Sequence, residues 1–218
     1  MKRSLVLLLF AVLYAAVLPA EEEWTYLGRD EKVKNFHLNA KGKLSYNGQE
    51  FEAFALQQGA DRIAISPPST DGKHFVVFSF GDENSQCSLL QLEKHTAVTI
   101  PLDLTAMVWN SWAPEGPWFV LGGYSEEETA LYSVSITTQQ ARKISISLHK
   151  EGEKTELVTT TLVWTSPGTF ELEAAIHCST KLPQCTSREE ERIIRSYKVM
   201  VNAESLEVQT QEQSPPQE

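Results

Sequence analysis

The sequence lacks any apolar run long enough to cross a bilayer. Its longest run, Leu5 to Leu18, has about 14 residues, whereas a membrane-spanning helix needs about 20. Lys2 and Arg3 precede this run, and three glutamates follow Ala20. That order is typical of a secretory signal peptide. We therefore predict that residues 1–20 are cleaved, that no stable membrane anchor remains, and that the mature chain is periplasmic or secreted.

Cysteine is scarce, with three residues in the chain. No sequence signature of an activating histidine accompanies them, which argues against a nucleophilic thiol. Cys178 and Cys185 bracket a short polar loop, and we predict that they form a disulfide in an oxidising compartment. Cys87 is left over. We expect it to be a buried free thiol or to compete for one of the other two cysteines.

The sequence has no nucleophile elbow, P-loop, dinucleotide-binding motif or paired-histidine metal motif, and its five histidines are far apart. We therefore predict no catalytic residue, no metal site and no cofactor. The net charge is -10, and loss of Lys2 and Arg3 makes it -12 (-10 minus 2). An acidic surface repels nucleic acid and anionic lipid, so neither is an expected partner.

No long apolar period of 3.6 residues occurs between residues 24 and 187. Short segments rich in β-branched and aromatic residues alternate instead with Gly, Pro, Asn and Asp, a pattern that indicates strands. Asn47-Gly48 predicts a tight hairpin between strands at Lys43–Tyr46 and Glu50–Leu56. Further strands are predicted at His74–Phe80, Ser88–Glu93, Ala97–Ile100, Trp118–Gly123, Ala130–Ile136, Arg142–Ile146, Thr169–Ile176, Ile194–Val201 and Ser205–Gln209.

Two segments share the same turn chemistry. Asp71-Gly72 and Glu115-Gly116 each follow a proline and precede an apolar strand, and the two glycines are 44 residues apart (116 minus 72). A looser third copy contains Ser166-Pro167-Gly168, whose glycine lies 52 residues further on (168 minus 116). A period of about 40 to 50 residues with four strands per unit is typical of β-propeller blades.

The first copy resembles a known family. Ser66-Pro67, Asp71-Gly72-Lys73 and the strand Phe75–Phe78 look like the WD40-like repeat of TolB-type propellers, also seen in some prolyl oligopeptidase relatives. The resemblance covers mainly residues 60–147. It implies an all-β fold, a small propeller-like array of antiparallel four-stranded units, and says little about activity. An antiparallel β-sandwich is the alternative.

We predict a single β domain over residues 21–208 and a disordered tail over residues 209–218. The predicted repeat units lie near 24–58, 60–101, 105–147 and 158–208.

Acidic hairpin tips and tryptophans are the candidate binding residues. The tips occupy equivalent positions in two repeats and could bind a cation or a basic partner, although solvated tips are ordinary. Trp118 and Phe119 are expected in the core, whereas two tryptophans near the second turn could form an exposed binding face. The candidates are Asp82, Glu83, Glu126, Glu127, Trp109 and Trp112.

Export, repetition and the missing catalytic motifs favour a non-enzymatic module that binds another protein of the cell envelope or extracellular space. Two other hypotheses stay open. One is a periplasmic or secreted hydrolase whose site is assembled by the fold from scattered residues. The other is a secreted hydrolase inhibitor that uses the loop between Cys178 and Cys185.

Overall fold

The computed structural model describes residues 24–80, 85–104, 106–125, 128–148, 153–178 and 193–213. Every regular secondary-structure element in these ranges is a β-strand, so the predicted all-β class is confirmed. None of the described residues form a helix that is long and apolar enough to cross a membrane. The strands are β1 (Thr25–Gly28), β2 (Glu31–Val33), β3 (Phe36–Leu38), β4 (Leu44–Tyr46), β5 (Gln49–Glu50), β6 (Arg62–Ile65), β7 (His74–Phe80), β8 (Ser85–Gln91), β9 (Thr96–Ile100), β10 (Ala106–Trp112), β11 (Trp118–Ser125), β12 (Glu128–Ser135), β13 (Gln140–Ile144), β14 (Glu153–Ser166), β15 (Thr169–Cys178), β16 (Ile193–Asn202) and β17 (Val208–Gln213).

The strands form four antiparallel sheets that follow the chain order. Sheet 1 has the order β2-β3-β4-β5, sheet 2 the order β1-β6-β7-β8-β9, sheet 3 the order β10-β11-β12-β13 and sheet 4 the order β14-β15-β16-β17. Each sheet is a meander in which neighbours in sequence are neighbours in space. The exception is β1, which pairs with β6 and gives sheet 2 a fifth strand.

The two middle sheets are buried on both faces. Along β7, Phe75 and Val77 pack in a cluster with sheet 1, while Val76 and Phe78 pack in a cluster with sheet 3. Successive side chains of a strand point to opposite faces, which is why the middle of this strand, Phe75–Phe78, is apolar at every position. A third cluster joins sheets 3 and 4. Four-stranded meanders packed face to face in a row confirm the propeller-like array rather than a two-sheet sandwich.

The outer faces of the end sheets carry charged side chains. On sheet 4, Phe170 and Leu172 point into the third cluster, so Glu171 between them points away, where it pairs with Lys198 at 2.6 Å. On sheet 1 the outer row includes the cross-strand partners Lys32 and His37. Among the described residues, no hydrophobic cluster joins sheet 4 to sheet 1. The array therefore has three apolar interfaces for four sheets.

The predicted hairpin at Asn47-Gly48 is confirmed. Both residues have positive φ, 52° and 84°, as the favoured two-residue hairpin turn requires. The predicted strand Glu50–Leu56 is wrong beyond Glu50, where β5 ends. Phe51 and Phe54 both enter the first cluster. Their spacing of three residues cannot place both on one face of a regular strand.

Several predicted boundaries were wrong. β1 belongs to sheet 2, although it lies within the predicted first unit, and sheet 4 runs from Glu153 to Gln213, beyond both ends of the predicted unit 158–208. The predicted tail is not disordered over its first residues, because β17 pairs with β16 as far as Ser196 and Gln213. An edge strand needs backbone partners and few apolar side chains, so the polar composition of this segment was misleading.

Candidate functional site

Most of the predicted acidic site cannot be placed. Asp82, Glu83, Glu126 and Glu127 lie outside the described residues. They fall in the connections β7–β8 and β11–β12, and their role as a binding site stays a prediction.

The cysteines divide in the same way. Cys185 lies outside the described residues and Cys178 ends β15, so their disulfide stays a prediction. Cys87 is a free cysteine and only 2% exposed in the second cluster. Burial raises the pKa of its thiol far above the ordinary value, which disfavours the reactive thiolate. The prediction of a buried free thiol is confirmed.

Trp109 packs against a glycine of the neighbouring strand. Its cross-strand partner is Gly122, and a Cβ atom at that glycine would lie 2.3 Å from Cε2 of the indole. The indole therefore occupies the space that a side chain at position 122 would fill, and it packs against the third cluster. Trp109 is half-buried, and its predicted role in a binding face stays a prediction. Phe119 is fully buried, as predicted, whereas Trp118 is half-buried.

Trp112 links two sheets. Its Nε1 donates a hydrogen bond to the carbonyl of Pro67 at 3.1 Å, and its ring contacts Phe119 with centroids 4.6 Å apart. Trp164 repeats the arrangement one sheet further along. It contacts Phe170 at 5.3 Å, and its Nε1 donates to Ser111 Oγ at 3.0 Å. Sequence reasoning missed Trp164, although each tryptophan lies at or near the end of the first strand of its sheet: Trp112 ends β10, and Trp164 lies two residues before the end of β14.

The connections between the first two strands of each meander lie at one end of the array. We call them turn 2 (residues 66–73), turn 3 (residues 113–117) and turn 4 (residues 167–168). Thr70 Oγ1 of turn 2 donates to the carbonyl of Ala113 in turn 3 at 3.0 Å. Gly116 has a φ of 89°, and a Cβ atom there would lie 3.5 Å from the carbonyl oxygen of Pro167 in turn 4. The three turns thus pack side by side.

A cleft of about 250 Å³ lies between turn 2 and turn 3. Carboxylates lie on both turns, and two indoles contribute to the lining. None of the described residues that line the cleft is a lysine or arginine. The residues that matter for its chemistry are Ser69, Thr70, Asp71, Trp112, Glu115 and Trp118.

Asp71 is held by its own turn. Its Oδ1 accepts hydrogen bonds from Ser69 Oγ at 2.6 Å and from the Lys73 amide at 3.1 Å. Burial raises the pKa of Asp71, but these two hydrogen bonds and the nearby His74 together hold it below its ordinary value. The group is therefore a carboxylate at neutral pH. Its Oδ2 accepts no hydrogen bond from the described residues.

Ser69, Asp71 and His74 are the residue types of a hydrolase triad, but their geometry is that of a capped turn. Ser69 Oγ donates to Asp71 and accepts the backbone amide of His74 at 2.9 Å. A nucleophilic serine instead donates to the histidine that removes its proton. His74 Nδ1 lies 3.7 Å from Asp71 Oδ1, so neither contact activates the hydroxyl.

Metal coordination has no candidate in the described ranges, where no three His, Cys, Asp or Glu side chains are grouped to hold an ion. The predicted acidic site at the hairpin tips stays a prediction. Asp71 and Glu115, the two acids that line the cleft, were noticed in the sequence only as parts of the turns Asp71-Gly72 and Glu115-Gly116, whose glycines have φ values of 71° and 89°.

The fold defines a propeller-like array of four-stranded sheets. No protein-family model matches the sequence, and no curated protein matches it. Similar solved structures include a putative TolB from Agrobacterium tumefaciens, with a TM-score of 0.40 and 11% identity over 80% of this chain and 58% of that one.

Two enzymes are also among the similar structures. One is an acylaminoacyl peptidase from Pyrococcus horikoshii, with a TM-score of 0.43 and 11% identity over 69% of this chain and 25% of that one. The other is the dihydro-heme d1 dehydrogenase NirN in complex with DHE, with a TM-score of 0.43 and 10% identity over 85% of this chain and 38% of that one. The chain thus aligns with less than two thirds of the length of each of these three proteins.

Proposed function

We propose that this chain is an exported, non-enzymatic module that binds another protein of the cell envelope or extracellular space through the end of the array formed by turns 2, 3 and 4. The cleft between turn 2 and turn 3 carries the proposal. It combines aromatic side chains with carboxylates on a rigid backbone, and aromatic residues are enriched where proteins bind each other. The hydrogen bond between Thr70 and Ala113 holds the two turns in place.

Site-specific photocrosslinking tests this proposal. A photoreactive residue replaces Pro114 at the cleft or, as the matched control, Pro101 at the opposite end of the array; both prolines are exposed. The full chain, including residues 1–20, is expressed in a bacterial host. The cells are irradiated, and the protein is then recovered. We expect one reproducible protein adduct at position 114 and none at position 101. Equal adducts at both positions, or none at position 114, would contradict the proposal.

Export has its own test. We expect the protein recovered from the periplasm or medium to begin at Glu21, as determined by N-terminal sequencing. A chain that keeps Met1 and stays in the cytoplasm would contradict the export part of the proposal and leave the binding surface to be judged by crosslinking.

A further inference from the structure

We propose that the cleft between turn 2 and turn 3 binds an arginine side chain of the partner, a proposal that rests on the proposed function. Its guanidinium would pair with the carboxylates of Asp71 and Glu115 and lie against the indole of Trp112 or Trp118.

The cleft carries uncompensated negative charge. Glu115 is exposed and makes no ion pair or hydrogen bond within the described part of the chain. The nearest cation to Asp71 along the chain, Lys73, is engaged elsewhere, since its Nζ lies 2.7 Å from Glu93. His74 faces Asp71 at 3.7 Å but does not line the cleft. A cationic ligand would therefore meet two carboxylates without displacing a cation of the protein.

The size of the cleft favours a side chain over a metabolite. Its volume of about 250 Å³ lies below the roughly 300 to 1,000 Å³ of sites for drug-sized small molecules. One long side chain, presented by a partner that covers turns 2 and 3, fits that scale better than a free cofactor or nucleotide.

The lining favours an organic cation over a metal ion. A calcium ion takes about six to eight oxygen ligands, whereas this cleft offers two carboxylates beside two indoles. Arginine matches both kinds of lining, because its planar guanidinium forms paired hydrogen bonds with carboxylates and also lies against aromatic faces. The lysine ammonium is a compact, strongly hydrated charge, and it would pack less well against the indoles than a guanidinium does.

The wall residues are fixed before a ligand arrives. The hydrogen bond from Trp112 to Pro67 and its contact with Phe119 fix the indole. The hydrogen bonds of Ser69 and Lys73 fix Asp71 through Oδ1 and leave Oδ2 for a ligand. A preorganised site loses less conformational entropy on binding, which raises affinity.

Indole NMR signals provide the test. The protein, which has five tryptophans, is labelled with 15N-tryptophan and titrated with acetyl-Gly-Arg-Gly-amide, with the Lys peptide and with the neutral Gln peptide. We expect the Arg peptide to shift the signals of Trp112 and Trp118 and leave those of Trp24, Trp109 and Trp164 in place. The Lys peptide should bind more weakly and the Gln peptide should cause no shift.

Charge-neutral variants identify the carboxylates. Asp71→Asn and Glu115→Gln should each weaken the Arg peptide about fivefold, the range of a partly exposed ion pair. The matched controls Asp61→Asn and Glu212→Gln remove the same charge at exposed positions outside the cleft and should leave affinity unchanged. An absent Arg-dependent shift, an equal response to the Gln peptide, or unchanged affinity in both cleft variants would overturn the arginine site.

The two proposals fail separately. An adduct at position 114 without an Arg-dependent shift would overturn the arginine site and keep the binding surface. Arg binding with no adduct at position 114 would keep the arginine site and overturn the partner surface. An adduct that the double variant Asp71→Asn/Glu115→Gln abolishes, and that the double control keeps, would support both.

Discussion

A Cβ atom at position 122 would overlap the indole of Trp109, at 2.3 Å from Cε2 and 2.5 Å from Cζ2. Both contacts are shorter than real Cβ atoms show, so the indole or the strand would have to move. Because the indole packs into the cluster between sheets 3 and 4, a shift there disturbs packing on both sheets. Gly122 is thus required for close approach and not for a special backbone angle.

We therefore expect Gly122→Ala to lower the free energy of unfolding by about 2 to 3 kcal/mol, the usual cost of overpacking. Urea denaturation followed by tryptophan fluorescence measures it. Gly168→Ala is the matched control, since nothing lies within 4 Å of a Cβ atom there. The double variant Gly122→Ala/Trp109→Leu should lose less than the sum of its single changes. Equal stability of Gly122→Ala and Gly168→Ala would refute the explanation.

At the scale of residues, the sequence predicted burial better than binding. Phe119 was assigned correctly to the core because it lies inside an apolar strand. The packing of Trp109 between sheets 3 and 4 was not visible in the sequence, because the glycine that accommodates it is 13 positions later (122 minus 109) and becomes its neighbour only through strand register. The two acids that line the cleft were visible in the sequence as a repeated acid followed by glycine, but their placement beside one cleft depends on how sheets 2 and 3 pack.

The repeated tryptophan is the clearest element of the array. Trp112 ends the first strand of sheet 3, and Trp164 lies two residues before the end of the first strand of sheet 4. Each indole donates a hydrogen bond to a residue of the preceding unit, Pro67 or Ser111. Pro67 belongs to turn 2, so the Trp112 bond joins sheet 3 to sheet 2. These bonds are polar contacts at the edges of otherwise apolar interfaces.

We expect Trp112→Phe to destabilise the fold by about 1 kcal/mol more than Trp109→Phe, which is the value of one hydrogen bond. Both changes shorten an indole to a phenyl ring. Trp109 Nε1 has no hydrogen-bond partner among the described residues, so only Trp112→Phe loses a bond. Thermal unfolding of the two variants in parallel provides the comparison. A larger loss in Trp109→Phe would show that ring packing dominates.

Strand prediction succeeded where a single rule sufficed. β7 was predicted with its observed bounds because its apolar run is flanked by turn residues. β10 and β14 were not predicted. β14 is 14 residues long and carries many threonines and charges. Its register with β15 shifts at two points, and an interrupted register breaks the alternation on which sequence reasoning depends.

The whole molecule is a row of sheets in which each apolar cluster joins only neighbours. Stability in such an array is close to a sum of local and nearest-neighbour contributions. The sequence predicted the repeated four-stranded units from turn chemistry. It could not show which face of each end sheet points outward, because that depends on which side of each end strand packs against a neighbouring sheet.

We expect damage at one end of the row to stay at that end. Phe170→Ala and Phe36→Ala are matched, since both remove a buried phenyl ring from an end cluster, and each should cost about 3 to 5 kcal/mol. In hydrogen exchange, Phe170→Ala should release sheet 4 first and Phe36→Ala sheet 1 first. Uniform loss of protection in all four sheets for both variants would show a single cooperative unit instead.

The cleft lies across the junction of sheets 2 and 3, and one of its walls belongs to each. A ligand that contacts both walls would oppose sliding of one sheet past the other, so ligand binding would also stiffen the junction between sheets 2 and 3. Conversely, a force that shears this junction would separate Asp71 from Glu115 and weaken ligand binding. Affinity at this end of the array would then depend on mechanical tension as well as on the chemistry of the ligand.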